Sequence, residues 1–364
     1  MNSYAIIMAG GVGARFWPYG SSKLPKQFLP IANSSGTMLQ LTVNRIKEII
    51  PVQRIFIVTN IQYVTEVKKQ VPRIPLENII GEPIGRNTAP CVGLASIMLK
   101  QFDENSKMVV APADHLIEDL EEFQKVVFAG LKFVEKNDAI VTVGITPTHP
   151  ETGYGYIQYI DDAEYTAGEK KDEISIYKVK TFAEKPVLET AKIFLESGDF
   201  LWNSGMFIFR TDVILSEIKK SLPDLYNSLL KVEKVLHTNK YKNVLDKVFS
   251  EIKSISLDYG IMEKAKNVYV IKGNFMWSDL GSWDEVFRIK KKDKSSNVII
   301  GESFIKDSKN NLVLSPKCFV GMIGVDDLIV INTKDGLLIC KRGRSQEVKG
   351  ILDYLKRKGL TDNL

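Results

Sequence analysis

Short, nearly continuous apolar runs at residues 4–8, 54–58, 108–110 and 139–144 alternate with stretches at 37–50, 61–70, 88–100 and 118–136 whose apolar residues recur at helical spacing. A strand that is apolar on both sides must be covered on both faces, and the intervening helices supply that cover. The rhythm predicts an α/β fold built on a doubly wound, mostly parallel, Rossmann-like sheet. Ligands of such sheets bind outside the carboxyl ends of the strands, so the loops leaving the apolar runs are where function is sought.

The rhythm stops near residue 290. IKKKDKSSN is a polar, basic linker, and the segments NVIIGESFIKDSKNNLVLSPKCFVGMIG and DLIVINTKDGLLIC read as short strands with closely spaced turn residues. They predict a small β appendage, short and β-helix-like, closed by a helix in SQEVKGILDYLKRKGL. The expected organisation is a main domain over 1–290 and the appendage with its helix over 297–364.

Charge and cysteine usage exclude several classes. The 49 basic and 44 acidic residues are interspersed, so the net +5 describes a solvated surface, and no nucleic-acid partner is expected. Cys91, Cys318 and Cys340 are odd in number and lack CxxC spacing, which fits reduced thiols rather than a disulfide framework or a zinc site. The start YAIIMAG is too short and too uncharged for a secretory signal, and no run approaches the length of a membrane span. A cytoplasmic protein with no membrane partner is expected.

The loop after the first apolar run reads AGGVGARFWPYGSSKLPKQFLP. Gly10, Gly11 and Gly13 let backbone N–H groups turn toward a ligand with no Cβ in the way. A dinucleotide fingerprint would place a third glycine at 16, where Phe16 stands, and no acidic residue ends the next run, RIFIVTN. A Walker A loop also fails, because no Gly-Lys-Ser/Thr follows. What remains is a glycine-rich anion cradle with two cations, Arg15 and Lys26, suited to phosphates. The blander alternative is a glycine turn flanked by surface charge.

Gly-Gly-x-Gly-x-Arg, ten residues, then Lys in PKQF resembles the signature of the nucleotide-sugar pyrophosphorylases, and its PKQFL form looks like that of mannose-1-phosphate guanylyltransferases. With each fixed residue at roughly one in fifteen, five coincide by chance at about one start in a million. The resemblance continues through GEPIGRNTAP, APADHLI, ETGYGYI, FAEKP, WNSGMF and WSDLGSW, and the terminal segment with SQEVKGIL is similar too. It implies that a mannose 1-phosphate oxygen attacks the α-phosphorus of GTP, releasing pyrophosphate and forming GDP-mannose with Mg2+ as cofactor. Such a site needs cations more than a general base, since the phosphate nucleophile is already ionised.

The resemblance assigns roles to Arg15, Lys26, Asp114 and Lys185 as catalytic residues. Ala9, Gly10, Gly11, Gly13, Arg15, Lys26 and Asp114 are expected at the nucleotide, with Glu82, Arg86, Asn87 and Thr88 against its base or ribose. Helix capping explains Asn87 or Thr88 nearly as well. Asp114 follows the strand KMVVAPAD, where a helix cap is the plainer reading, and in the family it pairs with Asp279 of WSDLGSW to hold the metal. His115 is read as packing or as support beside Asp114. Gly153, Tyr154, Glu184, Lys185 and Asn203 are expected at the sugar phosphate, with Gly155 also allowing close approach. The tyrosines of that motif, and Trp202, Trp277 and Trp283, suit packing.

Other readings stay open: another hexose or heptose 1-phosphate as substrate, a retaining glycosyltransferase, or a non-catalytic nucleotide-sugar sensor. A glycosyltransferase would show Asp-x-Asp where this chain has PADH, and a sensor would have lost one of Arg15, Lys26, Asp114, Lys185 or Asp279. Longer relatives append an isomerase domain. No His/Glu ligand spacing follows residue 300, so no isomerase activity is expected. A homodimer is among the assemblies expected.

Overall fold

The computed structural model describes residues 2–11, 13–31, 35–167 and 174–360. It gathers the chain into two compact units, one of Met1–Gly10, Gln40–Ala113 and Ile117–Trp277, the other of Gly11–Leu39, Asp114–Leu116 and Ser278–Leu364.

The first unit is built on a nine-stranded sheet. Its strands are β1 (Ser3–Met8), β2 (Ile55–Asn60), β3 (Ile79–Glu82), β4 (Lys107–Pro112), β5 (Ile140–Ile145), β6 (Tyr156–Ala167), β7 (Ile174–Ala183), β8 (Phe200–Arg210) and β9 (Val268–Gly273). Their order is β3-β2-β1-β4-β8-β5-β9-β7-β6, with a further pairing of β8 to β6. β1 to β4 are mutually parallel, β5 and β9 are parallel, and β8 runs antiparallel to both β4 and β5. β7 opposes β9 and β6. The sheet is therefore mostly parallel in strand direction, with β7 and β8 reversed.

Alternation along these strands divides the core. Tyr4, Ile6, Met108, Val110, Phe207 and Phe209 join one large cluster together with the helix Thr88–Lys100 and the helices Thr211–Ser221 and Pro223–Glu233. Ile208, one residue out of phase, instead meets Gly130 of the helix Leu120–Lys136, which places that helix on the opposite face. Each fully buried Leu, Ile or Phe stabilises by about 1.5–3 kcal/mol, so the two-faced apolar runs specify this layering directly. Thr88–Lys100 is buried almost all round and begins at Asn87, whose side chain accepts from Thr88 N at 2.9 Å.

In the second unit β10 (Val298–Lys306), β11 (Leu312–Ile323) and β12 (Leu328–Asn332) stack in parallel, and β13 (Leu337–Lys341) returns antiparallel to β12. Buried asparagines ladder the turns of this β-helix-like stack. Asn297 Oδ1 accepts from Asn311 N (2.9 Å) and Nδ2 (3.2 Å), while Asn311 Oδ1 accepts from Leu328 N at 2.8 Å. Each amide satisfies turn backbone that would otherwise be buried unpaired. The closing helix is Val348–Arg357, entered through a 3-10 turn at Ser345–Glu347. Cys91, Cys318 and Cys340 are free thiols. Among the described residues no helix is long and apolar enough to cross a membrane.

Candidate active site

A cleft of about 340 Å3 lies within the second unit, lined by Gly13, Arg15, Phe16, Lys26, Asp114, His115, Asp279, Leu280, Gly281 and Lys349. The glycine-rich segment reaches it through a left-handed residue, Gly13 (φ +58°), which opens the 3-10 turn Ala14–Phe16. A Cβ at Gly13 would come within 2.6 Å of Lys26 Cβ and 2.8 Å of Lys26 N, so only glycine lets the loop close on the lysine.

PKQF has a division of labour. Pro25 begins a second 3-10 turn, Lys26–Phe28, all three residues of which are buried. Gln27 Nε2 donates to Gly11 O at 2.9 Å and ties the two halves of the loop together. Lys26 Nζ donates to Asp114 Oδ2 at 2.8 Å and also to the Asp279 carbonyl. One ammonium thus joins three motifs that are far apart in sequence. Burial works to raise the pKa of Asp114, but the charges of Lys26 and His115 and the hydrogen bond from Lys26 outweigh it and hold the carboxyl below its ordinary value. His115 Nε2 is 3.9 Å from Asp114 Oδ1, a supporting position.

The remaining expected residues belong to the first unit. Ala9 N donates to Val58 O (2.7 Å) and its carbonyl accepts from Thr59 Oγ1 (2.9 Å), so both backbone groups serve the sheet. Glu82 ends β3, is 4% exposed, and its Oε2 lies 3.8 Å from the position of a Cβ on Gly10. Its Oε1 has no hydrogen-bond partner among the described residues, and burial pushes its pKa up to about 8. Arg86 is anchored from behind: Nε donates to Phe249 O (2.6 Å) and Nη2 to Ser250 O (2.9 Å), the carbonyls at the end of the helix Tyr241–Glu251. Asn87, at φ +69°, is the helix cap, and Thr88 Oγ1 accepts from Leu257 N at 2.7 Å.

At the motifs expected to meet the sugar phosphate, Gly155 faces both Glu184 and Asn203. A Cβ there would lie 2.7 Å from Glu184 Oε2 and 3.5 Å from Asn203 Cβ. Lys185 Nζ is 3.2 Å from Glu184 Oε1, and Lys185 holds a left-handed φ of +43°, a strained conformation that persists where surrounding structure imposes it. Gly153 N donates to Glu151 Oε1 at 2.8 Å. The ring of Tyr154 is buried edge-on to Trp202 (5.3 Å) and Trp277 (5.0 Å), the packing that suits the tyrosines of this motif. Trp202, Trp277 and Trp283 are all buried, as their packing reading requires.

Sequence reasoning missed Asp258. Its Oδ1 accepts from Asn203 Nδ2 at 2.6 Å, while Asn203 Oδ1 accepts from Gly205 N at 3.0 Å, which fixes the orientation of the amide. Burial pushes the Asp258 carboxyl above its ordinary value, and nearby Glu184 adds to this against the Asn203 hydrogen bond and Lys185. Asp258 opens a π-helical turn, Asp258–Met262, a form often found at functional sites. The segment just before it pairs with the 86–89 region, Ile255 N to Arg86 O (3.2 Å) and Ala89 N to Ile255 O (3.1 Å). An acidic residue second in LDYGIMEK was the signal, and nothing in its spacing pointed to Asn203.

A glycine-rich loop after the first strand of an α/β sheet, its buried lysine bonded to a half-buried aspartate that follows β4, is the arrangement of a nucleotidyltransferase. The nucleotidyl transferase family model matches residues 4–296, and that of the MannoseP isomerase/GMP-like beta-helix domain matches 301–355. The chain is 36% identical to a mannose-1-phosphate guanylyltransferase of Escherichia coli over 97% of its own length and 76% of the relative's, and 39% identical to one of Salmonella montevideo over 96% and 73%. A crystal structure described as mannose-1-phosphate geranyltransferase from Thermus thermophilus superposes with a TM-score of 0.86 at 30% identity, covering 98% of this chain and all of that one. The structure of a mannose-6-phosphate isomerase from Helicobacter pylori, at 24% identity and a TM-score of 0.62, covers 76% of this chain and all of that one and shares the fold. The chain belongs to the nucleotidyl transferase family and, within it, to the mannose-1-phosphate guanylyltransferases.

Proposed function

We propose that this protein transfers GMP from GTP to mannose 1-phosphate, giving GDP-mannose and pyrophosphate. The observation that carries the reading is the buried ammonium of Lys26, held by Asp114 and the Asp279 carbonyl in a cleft that Arg15 also lines. A sugar-phosphate oxygen forms a bond to the α-phosphorus as the bond from that phosphorus to the bridging oxygen breaks, and the electron pair leaves with pyrophosphate. Arg15 and Lys26 take the triphosphate and stabilise the charge that grows on the leaving group.

The resemblance and the local geometry together support the other roles. Gly10, Gly11 and Gly13 admit phosphate to the backbone. Glu82, Asn87 and Thr88 serve the nucleoside, with Arg86 as their scaffold. Lys185 neutralises the sugar phosphate, Glu184 and Asn203 take its hydroxyls, and Gly153 and Gly155 permit close approach. Asp114 and Asp279 are hard oxygen donors lining one cleft, and the depressed pKa of Asp114 keeps it ionised, a donor set that fits Mg2+. When bound there, Mg2+ would neutralise phosphate charge. We assign residues 1–290 the transferase role and 297–364 that of an appendage. A cytoplasmic setting and a homodimer complete the reading, the latter testable by light scattering.

The test is a grid of four nucleoside triphosphates against several hexose and heptose 1-phosphates, following pyrophosphate release with and without Mg2+. GTP with mannose 1-phosphate should dominate, and only with the metal. Preference for another pair would replace the substrate assignment, and tight nucleotide binding without pyrophosphate release would favour a sensor.

A further inference from the structure

The closing helix Val348–Arg357 belongs to the C-terminal segment, yet Lys349 in its first turn lines the same cleft as Arg15, Lys26, Asp114 and Asp279. We propose that Lys349 is a third phosphate-binding cation of this site, directed at the pyrophosphoryl end of the nucleoside triphosphate. The proposal rests on the function proposed above and makes the appendage a working part of the phosphate site.

Two features of the second unit place Lys349. Val348, Leu352 and Leu355 form the buried face of the helix, which packs against the turn Ala14–Phe16 that carries Arg15. Val348 is inward, so Lys349, its neighbour, is held at the cleft while remaining exposed. The entry to the helix is fixed by Asp284, five residues beyond Asp279. Its carboxylate accepts from Gly343 N (2.6 Å), Ser345 N (3.2 Å) and Ser345 Oγ, and its own N–H donates to Ser345 Oγ at 3.1 Å. One short stretch therefore presents Asp279 and anchors the turn that delivers Lys349.

Charge gives this placement a purpose. A triphosphate brings about four negative charges, and Lys26 is already paired with Asp114. Lys349 makes no ion pair among the described residues, so its charge is available to a ligand. A lysine acts here as a point charge on a flexible stem, suited to a group that changes position as pyrophosphate departs.

The experiment uses the full chain with Lys349→Ala, Lys349→Glu and Lys349→Arg. Calorimetric titration with inorganic pyrophosphate in Mg2+ should show about tenfold weaker binding for K349A, a larger loss for K349E, and near wild-type binding for K349R. The KM for GTP should rise with the same ranking, while the KM for mannose 1-phosphate and the melting temperature stay unchanged. Asp284→Asn, a positioning variant, should move pyrophosphate affinity in the K349A direction, and the K349A background should remove that effect. Wild-type pyrophosphate affinity in K349A and K349E, or parallel changes in both KM values, would overturn the assignment. If the wild type binds pyrophosphate in a Lys349-dependent way but makes no GDP-mannose, the proposed function falls and Lys349 stands. If GDP-mannose forms with the GTP and pyrophosphate constants untouched by K349A, the reverse holds.

Discussion

Lys26 and Lys185 are both lysines beside a carboxylate, and they are built in opposite ways. The Lys26 side chain is 6% exposed and bonded to Asp114 at 2.8 Å, whereas that of Lys185 is 63% exposed and pairs with Glu184 at 3.2 Å. The first is locked by turns, a glycine and two acceptors before any substrate arrives. The second has a fixed, strained backbone and an exposed side chain. A group whose orientation is set in advance contributes most where charge develops in the transition state, while a mobile one contributes mainly to binding.

The widest separation of the two comes from turnover. Lys26→Ala should lower kcat by about 10²–10³ with little change in the KM for mannose 1-phosphate. Near-full turnover would remove the phosphate-loop assignment.

Asp114→Asn should come next, costing about a hundredfold in kcat and raising the Mg2+ concentration needed for half-maximal rate. Its pH behaviour sharpens the point. A depressed carboxyl contributes stability that is present above its unfolded value of 3.8 and lost as pH falls through the lower folded value. Acid melting curves of wild type and D114N should therefore converge only below that range. If they already coincide at neutral pH, the pair does not stabilise the fold.

Lys185→Ala should raise the KM for mannose 1-phosphate about tenfold and leave kcat within a few-fold. A kcat loss matching that of K26A would erase the contrast.

Glu82→Gln should have the smallest effect on this contrast and appear chiefly in stability. The folded pKa of about 8 lies above the ordinary 4.5, so the neutral form is favoured by folding and stability falls as pH rises between those values. Each unit of displacement corresponds to about 1.4 kcal/mol. Urea melts at pH 5 and pH 8 should show a smaller loss for E82Q than for wild type, and equal losses would mean Glu82 is ionised in the fold.

The parts of the molecule legible in sequence are those where local pattern and tertiary need coincide. The runs at 4–8 and 139–144 became β1 and β5 because continuous apolarity leaves few alternatives, and the period at 88–100 gave the helix with the bounds Thr88–Lys100. Asn87 as a cap was readable for the same reason. Arg86 was not, because its acceptors lie at the end of a helix 163 and 164 residues away. Asp258 meets Asn203 across 55 residues, and Lys349 reaches the Lys26 cleft from the far end of the chain. Periodicity reports which face of an element is buried and carries no record of which distant carboxylate or cation shares that burial. Motifs brought Arg15, Lys26, Asp114 and Asp279 to attention, and only the fold gathered them around one cleft.

The backbone pairing of Arg86 and Ala89 with Ile255 has a thermodynamic corollary. The residues proposed for the nucleoside and for the sugar phosphate are joined through adjacent positions, since Leu257 bonds Thr88 and Asp258 bonds Asn203. A ligand that ordered this segment at one end would lower the cost of ordering it at the other, and by linkage such a gain would be mutual. The two substrates would then be cooperative partners, each raising the affinity of the enzyme for the other by the same factor.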